Sequence, residues 1–428
     1  MPFTDTLIIG AGQAGLALSR YLTAGALDHV VLERGRTAER WRSERWDSLR
    51  LLSPNWATRL PGWSYQGAEP DGFMTAAELT TYLTDYADSF TAPVEEHSDV
   101  RAVDQAAGGF VVETEDTMWR ARNVVIATGW ADQPRVPSFA GRLAADVLQL
   151  TPSAYRNPDQ LPDGRVVVVG ASATGVQLAD ELVRHGRDVV VAVGRHNRVP
   201  RRYRGMDIWW WLDQLGTFAT TIDQVSDPTQ ARAEGAVQLV GREDHRDVDL
   251  PALQRLGVRL AGRLAEADGR RLVFADQLAA TAEAADRRLT NLLAEIDHHI
   301  DRSGLAAEVL PGRVPARLQP VTPVGELDVD RDRIGTILWA TGYRRPYPWL
   351  RVPVLDRSGE IEQRRGITPV DGLYVLGQRF QHRRDSNFID GVRHDAAYLA
   401  ERIASHAHGR RPAHRLHPAT PSVRRNVP

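Results

Sequence analysis

Two glycine-rich segments of this chain have the residue types and spacing that bind phosphate groups. In the first, Gly10, Gly12 and Gly15 form the run GAGQAG between the apolar segment TDTLIIG and a helical segment. The first glycine allows a tight turn, the second lets backbone amides approach a pyrophosphate, and the third lets helix and strand pack closely. The flanking elements favour a dinucleotide site over the alternative, a glycine-rich turn without a ligand.

A carboxylate follows the first segment at an informative distance. Glu33 ends the next apolar run, HVVLE, 18 residues after Gly15. A carboxylate roughly 20 residues beyond the glycines binds ribose hydroxyls in dinucleotide sites. Because an acid at this place disfavours a 2′-phosphate, FAD or NAD fits the first site better than NADPH.

The second glycine-rich segment repeats the pattern with the opposite charge. The run GASATG follows the strand-like RVVVVG and precedes the helical VQLADELVRHG and a further strand, DVVVAVG. That strand leads to a basic cluster suited to the extra phosphate of NADPH, although a generic basic loop is the alternative. The candidate contacts are Gly170, Ser172, Ala173, Thr174, Gly175, Arg195, His196 and Arg201, with Arg198 and Arg202 nearby.

Three further apolar runs are related in position to the two glycine segments. NVVIATG (123–129) and TILWATG (336–342) both end in Ala-Thr-Gly, and GLYVLG (372–377) is predicted to return the chain to the first sheet. A small residue and a glycine at a strand end let the backbone pass close to a cofactor. We therefore add Ala340, Thr341 and Gly342 to the candidate contacts.

The composition excludes several classes of chemistry. The 428 residues include no cysteine, which excludes disulfides, iron–sulfur clusters and a dithiol relay. All 53 basic residues are arginine, so no lysine Schiff base can form. With a formal net charge of -2 we expect no nucleic-acid partner, and we expect no metal site.

The chain also lacks the pattern of a membrane protein. No stretch approaches the roughly 18 apolar residues of a membrane span, and the first residues lead directly into the glycine segment. We therefore expect a cytoplasmic protein without a membrane span. The last residues, 406–428, are rich in Arg, His and Pro and are predicted to form a tail.

Taken together, these motifs resemble the class B flavin-dependent monooxygenases, a family of two-dinucleotide-binding flavoproteins that includes the plant YUCCA enzymes. The resemblance covers most of the chain and rests on GAGQAG, GASATG, the two ATG strand ends, ATGYRRPYPWL (340–350) and GLYVLGQRF (372–380). It implies FAD on the first glycine segment and NADPH on the second.

The resemblance also implies a fold and its domain limits. We expect an α/β protein with two Rossmann-like domains, in which the NADPH domain interrupts the FAD domain and carries a partly helical insertion. The expected limits are 1–160 and 346–405 for the FAD domain, 161–345 for the NADPH domain, and about 201–330 for the insertion.

Carried over by position, the family's flavin contacts fall on a defined set of residues. The expected contacts are Gly10, Gly12, Gln13, Ala14, Gly15, Glu33, Arg34, Arg40, Trp41, Val100, Thr128, Gly129, Gln378 and Asp390. Asn55 matches an asparagine that faces the reactive side of the flavin in several members and is the catalytic candidate, with a turn asparagine as the alternative. Asp390 or Asn387 is expected to cap a helix that points at the flavin, with plain capping as the alternative.

One family motif is only partly present in this chain. Members carry F-x-G-x-x-x-H-x-x-x-(W or Y) between the two nucleotide segments, and this chain has Ala145, Val147 and Thr151 in place of the Phe, Gly and His. Only Tyr155 remains. Because that segment couples NADPH binding to domain movement in the family, its loss weakens the inference to oxygenation more than the inference to the two cofactors.

The family's activity gives the leading hypothesis. It is a monooxygenase in which NADPH reduces FAD, dioxygen forms a flavin C4a-(hydro)peroxide, and a small organic substrate takes one oxygen atom. The alternatives are an NADPH-dependent flavin reductase or electron-transfer protein without oxygenation, and a flavin-binding redox sensor. The partners expected are the substrate and dioxygen, and a homodimer is compatible with each reading.

Overall fold

The computed structural model describes residues 1–319 and 322–407. The predicted tail therefore lies almost wholly outside the described residues. The strands are β1 (Phe3–Ile9), β2 (His29–Leu32), β3 (Arg59–Leu60), β4 (Trp63–Ser64), β5 (Val94–Glu95), β6 (Val100–Ala106), β7 (Gly109–Thr114), β8 (Met118–Ile126), β9 (Gln133–Pro134), β10 (Leu148–Leu150), β11 (Arg165–Val169), β12 (Val189–Ala192), β13 (Asn197–Arg198), β14 (Arg202–Tyr203), β15 (Met206–Asp207), β16 (Val237–Gln238), β17 (Arg259–Ala261), β18 (Leu264–Asp268), β19 (Arg271–Phe274), β20 (Glu326–Asp328), β21 (Ile334–Trp339), β22 (Tyr343–Arg344) and β23 (Leu373–Val375). The helices are α1 (Gln13–Ala24), α2 (Glu39–Ser43), α3 (Ala76–Asp88), α4 (Ala173–Arg184), α5 (Ile208–Gln214), α6 (Pro228–Ala233), α7 (Leu250–Arg255), α8 (Leu278–Ser303) and α9 (Val392–Ala407).

The first sheet has the order β5-β2-β1-β8-β7-β6, and β23 also pairs with β8. Strands β1, β2, β5, β8 and β23 pair with one another in parallel, whereas β7 is antiparallel both to the start of β8 and to β6. The chain thus leaves this sheet after β8 and returns to it at β23. This confirms the predicted return of GLYVLG.

The second sheet has the order β10-β21-β11-β12-β17, and all of its pairings are parallel. Val166, Val167 and Val168 at its centre are fully buried, as expected of a strand covered on both faces by other elements. The glycine segments follow β1 and β11, and each lies beside the strand that ends in Ala-Thr-Gly. The α/β class and the two Rossmann-like sheets are therefore as predicted.

The predicted, partly helical insertion contains strands as well as helices. Strand β17 lies within residues 201–330 and forms the edge of the second sheet, while β18, β19 and β20 form a separate small sheet. Helix α8 packs Ile296 and Ile300 into a core that α5 shares through the fully buried Trp211. The Trp211 indole Nε1 donates to the Tyr203 carbonyl at 2.8 Å, so the largest side chain of this core has its polar atom paired.

The described residues lack two features of other classes of protein. No helix within 1–319 and 322–407 is long and apolar enough to cross a bilayer. In the same part of the chain, no group of three or more His, Asp or Glu side chains is placed to hold a metal ion.

The packing of α8 gives a stability prediction. Ile296→Ala removes three carbons from a fully buried site, and we expect it to lower the free energy of unfolding by about 2–5 kcal/mol. Glu295 is exposed on the same helix and makes Glu295→Ala the matched control. Chemical denaturation of both variants measures the difference, and equal stabilities would contradict the packing of α8 described here.

Candidate dinucleotide sites

The first glycine segment has no room for side chains at its first and third glycines. A Cβ on Gly10, which has φ +109°, would lie 2.7 Å from the Ala127 carbonyl oxygen, and one on Gly15 would lie 1.9 Å from the Gly10 oxygen. A Cβ on Gly12 would meet nothing within 4 Å, and no side chain caps the helix that begins after it. The first-turn amides of α1 therefore face open space that a pyrophosphate can enter.

The second segment repeats this geometry closely. A Cβ on Gly170, which has φ +119°, would lie 2.3 Å from the Ala340 oxygen, and one on Gly175 would lie 1.9 Å from the Gly170 oxygen. Ser172 precedes α4 and its side chain makes no capping hydrogen bond. Ala340 thus contacts the second glycine loop as Ala127 contacts the first. The Thr341 hydroxyl donates to the Arg135 carbonyl and fixes the turn that follows.

A cavity of about 1010 Å³ opens beside the first glycine segment. Its volume is at the upper end of the range for small-molecule and cofactor sites, roughly 300–1,000 Å³. The structure brings most of the predicted flavin contacts together in its wall. These are Gly10, Gly12, Gln13, Ala14, Glu33, Arg34, Arg40, Trp41, Val100, Thr128 and Gly129.

Hydrogen bonds fix the polar groups of this wall. The Glu33 carboxylate accepts from the Ala11 amide at 2.7 Å and from the Gly35 amide at 3.2 Å. Arg40 donates to the Ala131 carbonyl at 2.6 Å and to the Asp132 carboxylate at 2.7 Å. The Arg40 contacts join the loop after β8 to α2 and fix the positions of these two parts of the cavity wall.

The cavity has further lining residues outside the predicted contacts, of which the sequence marked Asn387 only as a candidate helix cap. Trp130 stacks under two guanidinium groups, with Arg345 at 4.2 Å and Arg379 at 5.6 Å from its ring centre. Tyr347 and Asn387 also line the cavity, and burial raises the pKa of Tyr347. Trp130 directly follows the first ATG and Tyr347 follows the second, so proximity to these strand ends was the available signal.

Two buried amide oxygens near the cavity have no partner among the described residues. They are Oε1 of Gln378, whose Nε2 donates to the Tyr347 hydroxyl at 3.2 Å, and Oδ1 of Asn387. Gln378 follows Gly377, which lines the cavity. A buried acceptor without a donor costs about 1–3 kcal/mol, so these oxygens suit a ligand that brings N–H or O–H groups. A flavin dinucleotide carries such donors.

The candidates Asn55 and Asp390 lie outside the cavity wall. Asn55 is buried, its amide donates to the Glu69 carbonyl at 2.9 Å, and its oxygen accepts from the Met74 amide at 2.8 Å. These bonds shape the loop between Glu69 and Met74, and the catalytic role of Asn55 stays a prediction. Asp390 binds Arg59 through two hydrogen bonds of 2.8 Å, which makes ion pairing its observed role.

The structure divides the basic cluster predicted for the second site. Arg201 is 1% exposed and is paired with Asp207 beside the Phe73 ring, and Arg198 is paired with Asp249 and Asp286. The assignment of Arg201 to a ligand phosphate is therefore corrected, because its charge is already neutralised in the interior. Within this cluster only Arg195 is exposed, and it makes no ion pair with another described residue.

His196 also departs from the expected solvent-facing cluster. The ring is 3% exposed and its Nδ1 is 3.0 Å from the Gly194 carbonyl. Burial lowers the His196 pKa, so the ring is neutral near pH 7 and adds no positive charge for a phosphate. Its observed contact stabilises the turn that presents Arg195.

A segment that the sequence did not mark lies against the second glycine run. The Gln238 side chain donates to the Ala171 carbonyl at 2.6 Å and is buried. A Cβ on Gly235 would lie 3.0 Å from the Ser172 hydroxyl. Residues 235–238 therefore border the second site.

The segment of the incomplete family motif, residues 145–155, includes β10, an edge strand of the second sheet. Val147 is buried in the core of the second domain, and the Tyr155 hydroxyl donates to the Glu181 carboxylate of α4 at 2.9 Å. Between them, Ser153 and Ala154 line the first cavity. This segment thus connects the helix of the second site to the wall of the first.

Comparison with known proteins identifies the family. Residues 7–214 match the family model described as pyridine nucleotide-disulphide oxidoreductase. The chain is 32% identical to a CzcO-like oxidoreductase from Geobacillus kaustophilus (strain HTA426), over 94% of this chain and 99% of that protein. The chain belongs to the CzcO-like oxidoreductases.

More distant relatives agree with this placement. The present chain is 33% identical to the rice indole-3-pyruvate monooxygenase YUCCA1, over 42% of this chain and 45% of that protein. A flavin-containing monooxygenase from Stenotrophomonas maltophilia shares the fold, with a TM-score of 0.64, 19% identity, and coverage of 95% of this chain and 100% of that chain. The predicted α/β fold and the oxidoreductase class are confirmed, and these likenesses support the predicted resemblance to the class B flavin-dependent monooxygenases.

The first cavity gives a binding prediction. Glu33→Ala removes the carboxylate that the sequence predicts to bind the ribose hydroxyls, and we expect flavin affinity to fall about tenfold or more, because hydrogen bonds to charged groups contribute roughly 1.5–3 kcal/mol. The ratio of bound flavin to purified protein measures the loss. Glu95→Ala, at an exposed position on the neighbouring strand, is the control, and full flavin occupancy in Glu33→Ala would count against this role.

Proposed function

We propose that the protein is an NADPH-dependent, FAD-containing monooxygenase that inserts one oxygen atom into a small organic substrate. In this reaction NADPH, a proton, dioxygen and substrate give NADP⁺, water and the oxygenated product. The observation that carries the proposal is the repeated glycine geometry with opposite charges beside it, Glu33 in the first site and Arg195 in the second. We also propose the limits 1–160 and 346–405 for the FAD domain and 161–345 for the NADPH domain.

The first cavity is proposed to hold FAD. The open α1 terminus receives the pyrophosphate, Glu33 accepts from the adenosine ribose, and the unpaired oxygens of Gln378 and Asn387 accept from the donors of the flavin end. When bound, the flavin supplies activation of dioxygen at its C4a position. The chain's own residues orient the ring and limit access of water to it.

The second glycine run is proposed to hold NADPH. The N-terminus of α4 has no side-chain cap and can receive the pyrophosphate, while Arg195 follows β12 at the place where a 2′-phosphate is recognised. Arginine suits this role because its planar donors bind phosphate in a bidentate manner. The segment from Val147 to Tyr155 provides the physical link to the flavin cavity.

A second candidate function is an NADPH-dependent flavin reductase or electron-transfer protein that does not oxygenate. The replacement of the family's Phe, Gly and His by Ala145, Val147 and Thr151 favours this alternative. Val147 is packed in the core, so this part of the segment is specialised for packing. The two functions share both cofactor sites and differ only in the fate of the reduced flavin.

The charge at the second site gives a specificity prediction. Arg195→Ala should raise the KM for NADPH about 10–100-fold, the effect of losing roughly 1.5–3 kcal/mol, and leave the KM for NADH nearly unchanged. Initial rates of flavin reduction with each nucleotide measure this. Arg357→Ala is the control at another exposed arginine. Equal losses for both nucleotides would exclude a role in binding the 2′-phosphate.

The choice between the two functions is a kinetic one. We expect that protein reduced anaerobically with NADPH and then mixed with oxygenated buffer will show a long-lived intermediate with an absorbance distinct from oxidised and reduced flavin. Stopped-flow spectroscopy measures this directly. Immediate return of the oxidised spectrum, with one hydrogen peroxide released per NADPH, would contradict oxygenation and support the reductase.

A further inference from the structure

A second cavity, of about 670 Å³, lies behind helix α4 and away from both glycine runs. Its wall is formed by the end of α4, the turn of the β14-β15 hairpin, the loop before α7, the end of α7 and residues 310–313. This volume is within the range of small-molecule sites, roughly 300–1,000 Å³. We call it the rear cavity.

The wall of the rear cavity carries an excess of positive charge. Six arginines and three aspartates line it. The arginines are Arg184, Arg202, Arg204, Arg246, Arg255 and Arg313, and the aspartates are Asp180, Asp244 and Asp247. Such an excess in a concave surface attracts anions more strongly than the same charges on a flat surface.

Ion pairs hold several of these arginines in place. The buried Asp180 accepts from Arg184 at 3.0 Å and from Arg246 at 3.1 Å, and Asp247 accepts from Arg313 at 2.6 Å. An arginine fixed by a carboxylate on one edge keeps donors on its other edges. The ion pairs therefore fix these arginines and leave some of their N–H donors available to a ligand.

Three groups in the wall have no hydrogen-bond or ion-pair partner among the described residues. Arg202 and Arg255 line the cavity, and neither guanidinium makes an ion pair or hydrogen bond with another residue in the described part of the chain. Nδ1 of His245 is buried there without a hydrogen-bond partner. His245 also has φ +51°, a left-handed conformation that is costly for a residue other than glycine.

The rear cavity is separate from the NADPH site. Arg184, at the far end of α4, lies twelve residues beyond Ser172, a distance of about 18 Å along a helix. Arg202 belongs to this cavity, although the sequence placed it with the cluster around Arg195. The same dinucleotide cannot use the amides at the start of α4 and the arginines behind its end for one phosphate.

We propose that the rear cavity binds a phosphorylated small molecule, at a site distinct from both dinucleotide sites. Arginine is the preferred side chain for a phosphate, because its donors match the geometry of the oxygens. Leu256 and Leu310 are 38% and 62% exposed and line the same cavity, so an apolar part of the ligand has a place beside the charged part. Binding there contacts α4, the helix that begins at the NADPH site.

Pyrophosphate is the probe for this site. Titration calorimetry would use the purified holoprotein with saturating NADP⁺, so that both dinucleotide sites are filled, in buffer of constant ionic strength. We expect one saturable site per chain. The double variant Arg202→Gln, Arg255→Gln is expected to weaken binding at least tenfold, whereas the control Arg357→Gln, at an exposed arginine elsewhere, binds as the parent does.

Several outcomes would overturn the proposal. They are the absence of saturable binding in the parent protein, equal binding by the double variant and the parent, and binding of citrate as tight as that of pyrophosphate, which would show a general anion site. If the double variant loses its flavin or its cooperative melting transition, the single variant Arg255→Gln becomes the test. Arg255 is exposed and makes no ion pair with another described residue. At least a threefold weakening in this single variant supports the site, and parent-like binding overturns it.

Discussion

Everything at the two candidate cofactor sites depends on how closely the backbone of each glycine run approaches the strand that ends in Ala-Thr-Gly. Gly10 lies against the Ala127 carbonyl and Gly170 against the Ala340 carbonyl, at distances that leave no room for a Cβ. That contact turns the chain sharply into a helix whose first amides are open. Any larger residue would move the helix away from the sheet and misalign those amides.

The two sites differ in what surrounds this shared geometry. The first faces a large cavity whose wall includes Glu33, and two buried amide oxygens near it have no partner among the described residues. At the second, the exposed Arg195 follows β12, the strand that pairs with β11. Opposite charges after corresponding strands are the basis of the proposal that the first site binds a flavin dinucleotide and the second a phosphorylated nicotinamide dinucleotide. The segment from Val147 to Tyr155 contacts both halves, because Tyr155 binds Glu181 of α4 and Ser153 and Ala154 line the first cavity.

The sequence predicted the fold well, and most residues that it assigned to the first site line one cavity, because glycine runs and apolar strands are determined by local sterics and burial. It failed where partners come from distant positions. Arg201 and Arg195 are alike in sequence, yet the distant Phe73 and the nearby Asp207 bury one of them and leave the other exposed. Likewise, no local pattern places Gln238 against Ala171, since that contact depends on how the insertion folds back.

The most direct test of the account is an anaerobic titration of the purified protein with NADPH, followed by flavin absorbance. The account predicts that the protein is isolated with FAD, at one per chain, and that one equivalent of NADPH bleaches it fully and faster than NADH does. A protein that binds no flavin, or one whose bound flavin NADPH leaves oxidised, would contradict the assignment of the two sites.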